Sequence, residues 1–406
     1  MLFTRLLPRL VRVGRLTVVD ADGRRHTYQG AALDTLPNVT IRLHDRALHH
    51  RLALFPTLKV GEAYMDGTLT VEEGSLYDFL SLSLENLRRA GNKSYVTALE
   101  SLTRVVRRLQ QLNPADRARR NVAHHYDLSG ALYDLFLDAD RQYSCAYFTH
   151  PGQDLESAQD AKKRHIAAKL LLEPGQKVLD IGCGWGGLAL SLAREADVEV
   201  TGITLSTEQL AVARERAKNS QFAEKVRFDL RDYRHQAGTF DRIVSVGMFE
   251  HVGVNHYGQF FRKVRDLLTE EGVGLLHSIG RPDGPGATNA WIRKYIFPGG
   301  YCPALSEVLA AVERAGLFVT DVEILRLHYA DTLREWARRF QANRDKAAQL
   351  YDERFCRMWE FYLAGCEATF RHQGMMVFQM QIARRHDTVP VTRTYIDAWE
   401  KAHALA

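Results

Sequence analysis

The sequence predicts an α/β protein: a parallel sheet covered by helices on both faces, preceded by a smaller mixed α+β domain. Two observations carry this. Beyond about residue 155, short apolar runs alternate with helical segments, the pattern of a parallel sheet. Ahead of it lie brief strand-like pieces at 15–19, 26–28, 39–43 and 68–71, followed by helical periodicity from Ser75 to about Gln111. A chain of 406 residues accommodates both. Hydrophobic content of 46% and charged content of 25% are those of a soluble globular protein.

Taken in order, LFTRLLPRLVRVGRL opens the chain with arginines threaded through apolar residues. It has no secretory core, so export is not expected. Arg5, Arg9 and Arg12 share one helical face and Pro8 interrupts it, so a solvated helix and a membrane-facing one both stand. Asn113-Pro114 breaks the later helical pattern. The first domain is therefore placed at 1–112, a basic linker (ADRARRN) at 113–123 and the second domain at 124–406. In that domain five strands are read: VLDI, VEVTGITL, KVRFDL, FDRIVSV and GVGLLHSIG, each but the last followed by a helix or loop. One long aromatic-rich helical stretch runs from LREW to FRHQ, and MMVFQMQIARR closes as a strand. No run approaches the roughly 18 apolar residues of a membrane span. Cys145, Cys183, Cys302, Cys356 and Cys366 form no C-x-x-C pair and no metal spacing, which fits a reducing cytoplasm and no metal.

The first strand, Val178 to Ile181, runs into Gly182, Gly184, Gly186 and Gly187 and then a helix. Strand, glycine turn, helix is where open α/β sheets bind ligands. The spacing D-x-G-x-G-x-G-G differs from the dinucleotide fingerprint and favours a ligand without pyrophosphate. It resembles the S-adenosylmethionine (SAM) loop of Rossmann-like methyltransferases. Other strand ends bear Thr204, Ser206 and Gln209, then Asp232 and Tyr233, then Glu250 and His251, then His277 and Ile279. Ser206 is expected to cap the helix after it. Asp180 either caps the turn or faces the ligand. His277 is either a satisfied core histidine or a site residue. Glu250, in the apolar VGMFEHVG, needs a partner or a function.

The blocks HHYDLSGALYDLFLD, RQYSCAYF, VLDIGCGWGGLAL, GITLSTEQL, SVGMFEHVG, LLHSIG, WIRKYIFPGGYCP and HYADTLREW together resemble the cyclopropane-fatty-acyl-phospholipid synthase family and its mycolic acid relatives. They run in the family's order from about Asn121 onward. The resemblance implies a SAM-dependent enzyme that delivers a methylene to the cis double bond of unsaturated acyl chains in membrane phospholipids. It implies a bound bicarbonate ion held by Cys145, Glu250, His277, Ile279 (through its backbone) and Tyr329. It implies SAM contacts from Tyr143, Ser144, Asp180, Gly182, Cys183, Gly184, Gly186, Thr204, Leu205, Gln209, Asp232 and Tyr233. A homodimer, a lipid-binding role for the N-terminal domain and a cytoplasmic enzyme peripheral to the inner membrane surface are implied in the same way. Tyr143, Tyr147, Phe148, Trp291, Tyr295 and Phe297 are candidates to line an acyl channel.

Net charge is +5, unevenly placed: the first 120 residues hold 19 Lys+Arg against 12 Asp+Glu. A basic N-terminal part suits an anionic membrane surface. The alternatives are the same methylation with a methyl-branched, methylene or methylated-diene product, a non-catalytic lipid-binding protein, and an RNA methyltransferase using ADRARRN. A membrane lipid and no nucleic acid is the reading taken.

Overall fold

The structure, a computed structural model, describes residues 2–33, 35–91 and 130–403. The linker expected at 113–123, with ADRARRN, lies outside the described residues. The chain divides into two compact units. Of the described residues, the first unit holds those up to Gly91 together with Ala287–Pro298 and Leu333–Met375; the second holds the others. The expected cut of 1–112 from 124–406 is therefore corrected: two segments of the later chain pack with the N-terminal part. Ala364 and Ala368, on the helix Glu353–His372, sit in the same apolar core as Val18, Ile41, Leu52 and Phe79.

In the first unit β1 (Arg15–Val19), β2 (Arg25–Gln29), β3 (Val39–Leu43) and β4 (Leu69–Glu73) form a sheet in the order β2-β1-β3-β4. The helix Leu2–Leu10 continues through Pro8. Pro8 cannot donate to the Thr4 carbonyl one turn back, and that carbonyl accepts the Tyr28 hydroxyl instead at 3.0 Å. The helix Leu76–Ala90 begins at a Ser75–Asp78 capping box.

In the second unit β5 (Lys177–Ile181), β6 (Glu199–Thr204), β7 (Val226–Leu230), β8 (Phe240–Val246), β9 (Leu268–Gly280), β10 (Phe318–Ile324) and β11 (Met376–Ala383) form one sheet, ordered β10-β11-β9-β8-β5-β6-β7. The order reverses at β5, so ligand-facing residues gather beyond its carboxyl end. Two apolar cores flank the sheet, one around Leu192, Val200 and Phe228, the other around Phe249, Phe260 and Met380. The five strands expected to be parallel, β5 to β9, are parallel, while the closing strand β11 pairs antiparallel with both β9 and β10. A strand buried on both faces reads alike in either direction, so sequence does not orient it. β10 escaped the sequence reading because it is a partly exposed edge strand carrying Asp321 and Glu323. The single helical stretch expected at 333–373 is three helices, His328–Ala342, Arg344–Leu350 and Glu353–His372. A last helix, Thr394–Ala402, follows β11. Among the described residues no helix is long and apolar enough to cross a membrane.

Candidate active site

One cavity in the second unit lies at the carboxyl ends of β5, β6 and β7. Tyr143 and Ser144 reach it from the segment before the helix Leu155–Leu170, Asp180, Gly182, Cys183 and Gly184 from the β5 turn, Thr204, Leu205 and Gln209 from β6, and Asp232 and Tyr233 from beyond β7. Gly186, the remaining expected contact, does not line it. Its φ is +84°, and a Cβ there would come within 2.6 Å of the Phe228 ring, so this glycine serves packing. Sequence reading missed Arg141, Gln142, Trp185, Arg231, Arg234 and Met248, which also line the cavity.

The polar lining is locally braced. Ser206 caps its helix by accepting from Gln209 N, and the Thr204 hydroxyl donates to Gln209 Oε1 at 3.0 Å. Burial raises the Asp232 carboxyl, but Arg234, bonded to both its oxygens, holds it below its ordinary value. Asp180 differs: it is buried, and its Oδ2 has no hydrogen-bond partner. Burial pushes its carboxyl up to about 7, against the lowering effect of Lys162. The stabilisation it contributes is therefore present at low pH and lost as pH rises through about 7. Asp180→Asn lacks that dependence. Without ligand, its Tm relative to wild type is expected to rise between about pH 5 and about pH 8, by the equivalent of a few kcal/mol (roughly). A pH-independent difference in thermal melts would contradict the buried neutral carboxyl.

Lys162 is the residue that sequence reading most clearly missed. It is fully buried, and burial lowers its ammonium to about 8. Its Nζ donates to Gln142 Oε1 at 2.6 Å and to Ser144 Oγ at 2.8 Å, while Gln159 on the same helix donates to the carbonyls of Gln142 and Ser144. These bonds fix the segment that carries Cys145. Lys162, His165 and Lys169 share one helical face, but in sequence a face with three basic residues reads as solvated, so nothing local marks Lys162 as buried.

Cys145, Glu250, His277, Ile279 and Tyr329 do not line this cavity, but Cys145 follows its Ser144 and Glu250 precedes its His251. Glu250 Oε1 accepts the Ile279 N–H at 2.6 Å; Oε2 is buried with no hydrogen-bond partner. Burial pushes the carboxyl up to about 6, against the lowering effect of the Ile279 bond. The Ile279 N–H thus holds Glu250, which leaves the Ile279 carbonyl, accepting from Ser278 Oγ at 3.1 Å, as its other backbone group. His277 lies two residues before Ile279 on β9 and is buried, and burial drives its imidazole well below its ordinary value. Cys145 is buried, and its Sγ meets the Ala146 carbonyl at 3.2 Å. The Ala146 N–H donates at 3.0 Å to Thr332, one turn from the buried Tyr329.

Desolvation raises the Cys145 thiol far above its ordinary value. It is a thiol and not a nucleophilic thiolate. Cys145→Ser keeps a small hydrogen-bonding group, so turnover is expected to fall by about tenfold at most. Complete loss in a steady-state assay would mean that sulfur chemistry is required.

Of the aromatic residues expected along an acyl channel, Tyr143 lines the cavity. Tyr147 is stacked on His165 and His328, with centroids 4.2 and 4.9 Å away. Trp291, Tyr295 and Phe297 belong to the first unit, where Trp291 is buried against Phe361.

The cavity suits SAM on two counts: a positive-φ glycine cradle at Gly182 that a Cβ would fill, and an orphaned acceptor at Asp180. Fold and site define a SAM-dependent methyltransferase. The model of the mycolic acid cyclopropane synthetase family matches residues 113–380, and the chain belongs to that family. It is 38% identical over 357 residues to the cyclopropane-fatty-acyl-phospholipid synthase of Escherichia coli K12, covering 87% of this chain and 90% of that one. It is 44% identical over 284 residues to a probable fatty acid methyltransferase of Pseudomonas putida (67% and 72% covered). It is 36% identical over 402 residues to the tuberculostearic acid methyltransferase of Mycobacterium tuberculosis (94% and 90% covered). Among solved structures, a mycolic acid cyclopropane synthase complexed with SAH and CTAB superposes with a TM-score of 0.63 at 36% identity, covering 67% of this chain and 99% of that one.

Proposed function

We propose that this enzyme uses SAM to convert cis-unsaturated acyl chains of membrane phospholipids into cyclopropane acyl chains, with a bicarbonate ion held beside Glu250. The observation that carries this is Glu250 itself: a buried carboxylate with one oxygen on the Ile279 N–H and the other unpartnered. A buried lone acceptor calls for a donor. Bicarbonate has one O–H to give it and further oxygens to accept from His277, Tyr329 and the Cys145 thiol, while the Ile279 backbone serves through its N–H, which holds Glu250 in place.

The residues that would hold SAM are those of the β5 turn, Thr204, Gln209 and Asp232. The chemistry SAM supplies is an electrophilic methyl group, and that of the anion is a weak base in a site closed to bulk water. An alkene has no proton that a base must remove first. The demand on the protein comes afterwards, when positive charge on the acyl carbons must be tolerated and one methyl proton must leave for the ring to close. Glu250 provides negative charge near that centre. His277, neutral because it is buried, can donate without competing as a cation.

A second reading keeps SAM and the acyl chain but gives a methylated product without a ring. The similarity to the Pseudomonas putida and Mycobacterium tuberculosis methyltransferases favours it. Lipid mass spectra of cells with and without the protein test what both readings share. Acyl chains heavier by one CH2 and drawn from the unsaturated pool are expected; an unchanged profile would leave a lipid-binding protein.

Membrane docking follows from the substrate. In the first unit Leu54 and Phe55 are 54% and 60% exposed at the junction of the helices Leu48–Leu54 and Pro56–Met65. Arg46 and Arg51 are exposed on the same segment, each paired with an aspartate (Asp22 and Asp45), and the helix bearing the exposed Arg5 and Arg9 packs against Leu48–Leu54. An apolar tip rimmed by cations suits an anionic bilayer. Changing Leu54 and Phe55 to serine is expected to weaken co-sedimentation with anionic phospholipid vesicles by at least about tenfold, since covering the still-exposed half of the two side chains contributes roughly 1.5–3 kcal/mol together. SAM affinity should not move. Undiminished sedimentation would exclude this tip from docking.

A further inference from the structure

Three adjacent strands of the second unit carry polar side chains in one register: Glu323 on β10 faces Gln379 on β11, and Gln379 faces His277 on β9. The helix Leu155–Leu170 adds two buried groups to this row. His165 sets one ring nitrogen 2.7 Å from Glu323 Oε2 and the other 2.6 Å from Glu400 Oε1, on the last helix. Lys169 pairs with Glu323 and donates to Gln379 Oε1 at 2.8 Å. The Gln379 amide nitrogen lies 3.2 Å from His277 Nδ1. Gln379 and Lys169 have no exposed surface, and His277 is 2% exposed.

The donor inventory leaves one consistent arrangement. An ammonium only donates, so the amide oxygen of Gln379 must face Lys169. The amide NH2 then faces His277 and can only donate, so Nδ1 must accept and carries no proton. A neutral imidazole keeps its single proton on the other nitrogen.

We propose that Lys169 and Gln379 are positioning residues that fix His277 as its Nε2–H tautomer, leaving that N–H as the donor offered to the anion site. The inference rests on the reading of His277 given under the proposed function. Burial, and the positive charges of Lys162 and Lys169, keep the His277 ring neutral, so that a tautomer is what must be chosen. Burial lowers the Lys169 ammonium from its ordinary value, and the Glu323 carboxylate beside it opposes that shift and favours the charged form. A buried oriented partner behind the working nitrogen is the arrangement that metal-binding and catalytic histidines use elsewhere.

The test is long-range proton–nitrogen NMR correlation on the full-length enzyme labelled with 15N-histidine, without SAM or lipid, His277→Gln serving to assign the resonance. The resting enzyme should show an unprotonated Nδ1 and a protonated Nε2 at His277. In Gln379→Glu, Lys169 keeps the new carboxyl ionised, and a carboxylate only accepts. The proton should then move to Nδ1, with kcat at least about tenfold lower and KM for SAM within about twofold of wild type. A resting His277 protonated on Nδ1 overturns the assignment. So does a Gln379→Glu protein that retains the Nε2–H pattern. The tautomer is read without the anion, so turnover indifferent to bicarbonate would count against the anion site alone.

Discussion

Glu250→Gln should leave SAM affinity within about twofold of wild type while lowering kcat by about a hundredfold or more, the range lost with a positioned acid–base group. The amide oxygen of glutamine can still accept the Ile279 N–H, so the loop between β8 and the following helix keeps its anchor. What changes is the other atom. The orphaned Oε2 becomes an NH2 group, which donates where an acceptor stood, and the buried negative charge is lost. Glu250 does not line the SAM cavity, so cofactor binding is the internal control. Calorimetry for SAM beside steady-state turnover separates the two. Unchanged turnover would remove Glu250 from the chemistry, and lost SAM binding would make its role structural.

Gly182→Ala is the second large effect. Gly182 has φ +86°, and a Cβ there would lie 2.7 Å from Met248 Cβ and 2.9 Å from its Cγ. Both residues line the cavity, and Met248 begins the turn that carries Glu250. Backbone strain of about 1–3 kcal/mol and a displaced Met248 should weaken SAM binding by about tenfold or more. Calorimetry reads this directly, and wild-type affinity in the alanine variant would mean that the cradle is not where SAM sits. Gly186 provides the contrast: its clash would be with Phe228 in the core, so an alanine there should show first in Tm.

Much of the second unit was legible in the sequence because its signals are local. Val178 to Ile181 reads as a buried strand, Gly182 to Gly187 as a turn, and Ser206 as a cap, each from a few neighbouring residues. The cavity lining around β5, β6 and β7 follows, because strand ends in this fold open onto the crevice. The antiparallel β11 and the edge strand β10 were not legible, since orientation and edge position are settled by distant pairing. Nor was the role of Gly186, whose neighbour Phe228 is on β7. Lys162, Lys169 and Gln379 were missed for a related reason. Each reads singly as an ordinary helix or strand residue, and only burial and cross-strand register turn them into a supporting network behind Ser144 and His277. The pairing of the segments 287–298 and 333–375 with the N-terminal unit likewise rests on a shared core.

Ring closure is the central claim, and the proton NMR spectrum of the product tests it most directly. The purified enzyme, SAM, bicarbonate and vesicles of a cis-monounsaturated phospholipid should yield acyl chains with the upfield methylene signals of a cis-cyclopropane. Methylated chains without those signals, showing a branch methyl or an exocyclic methylene instead, would contradict it.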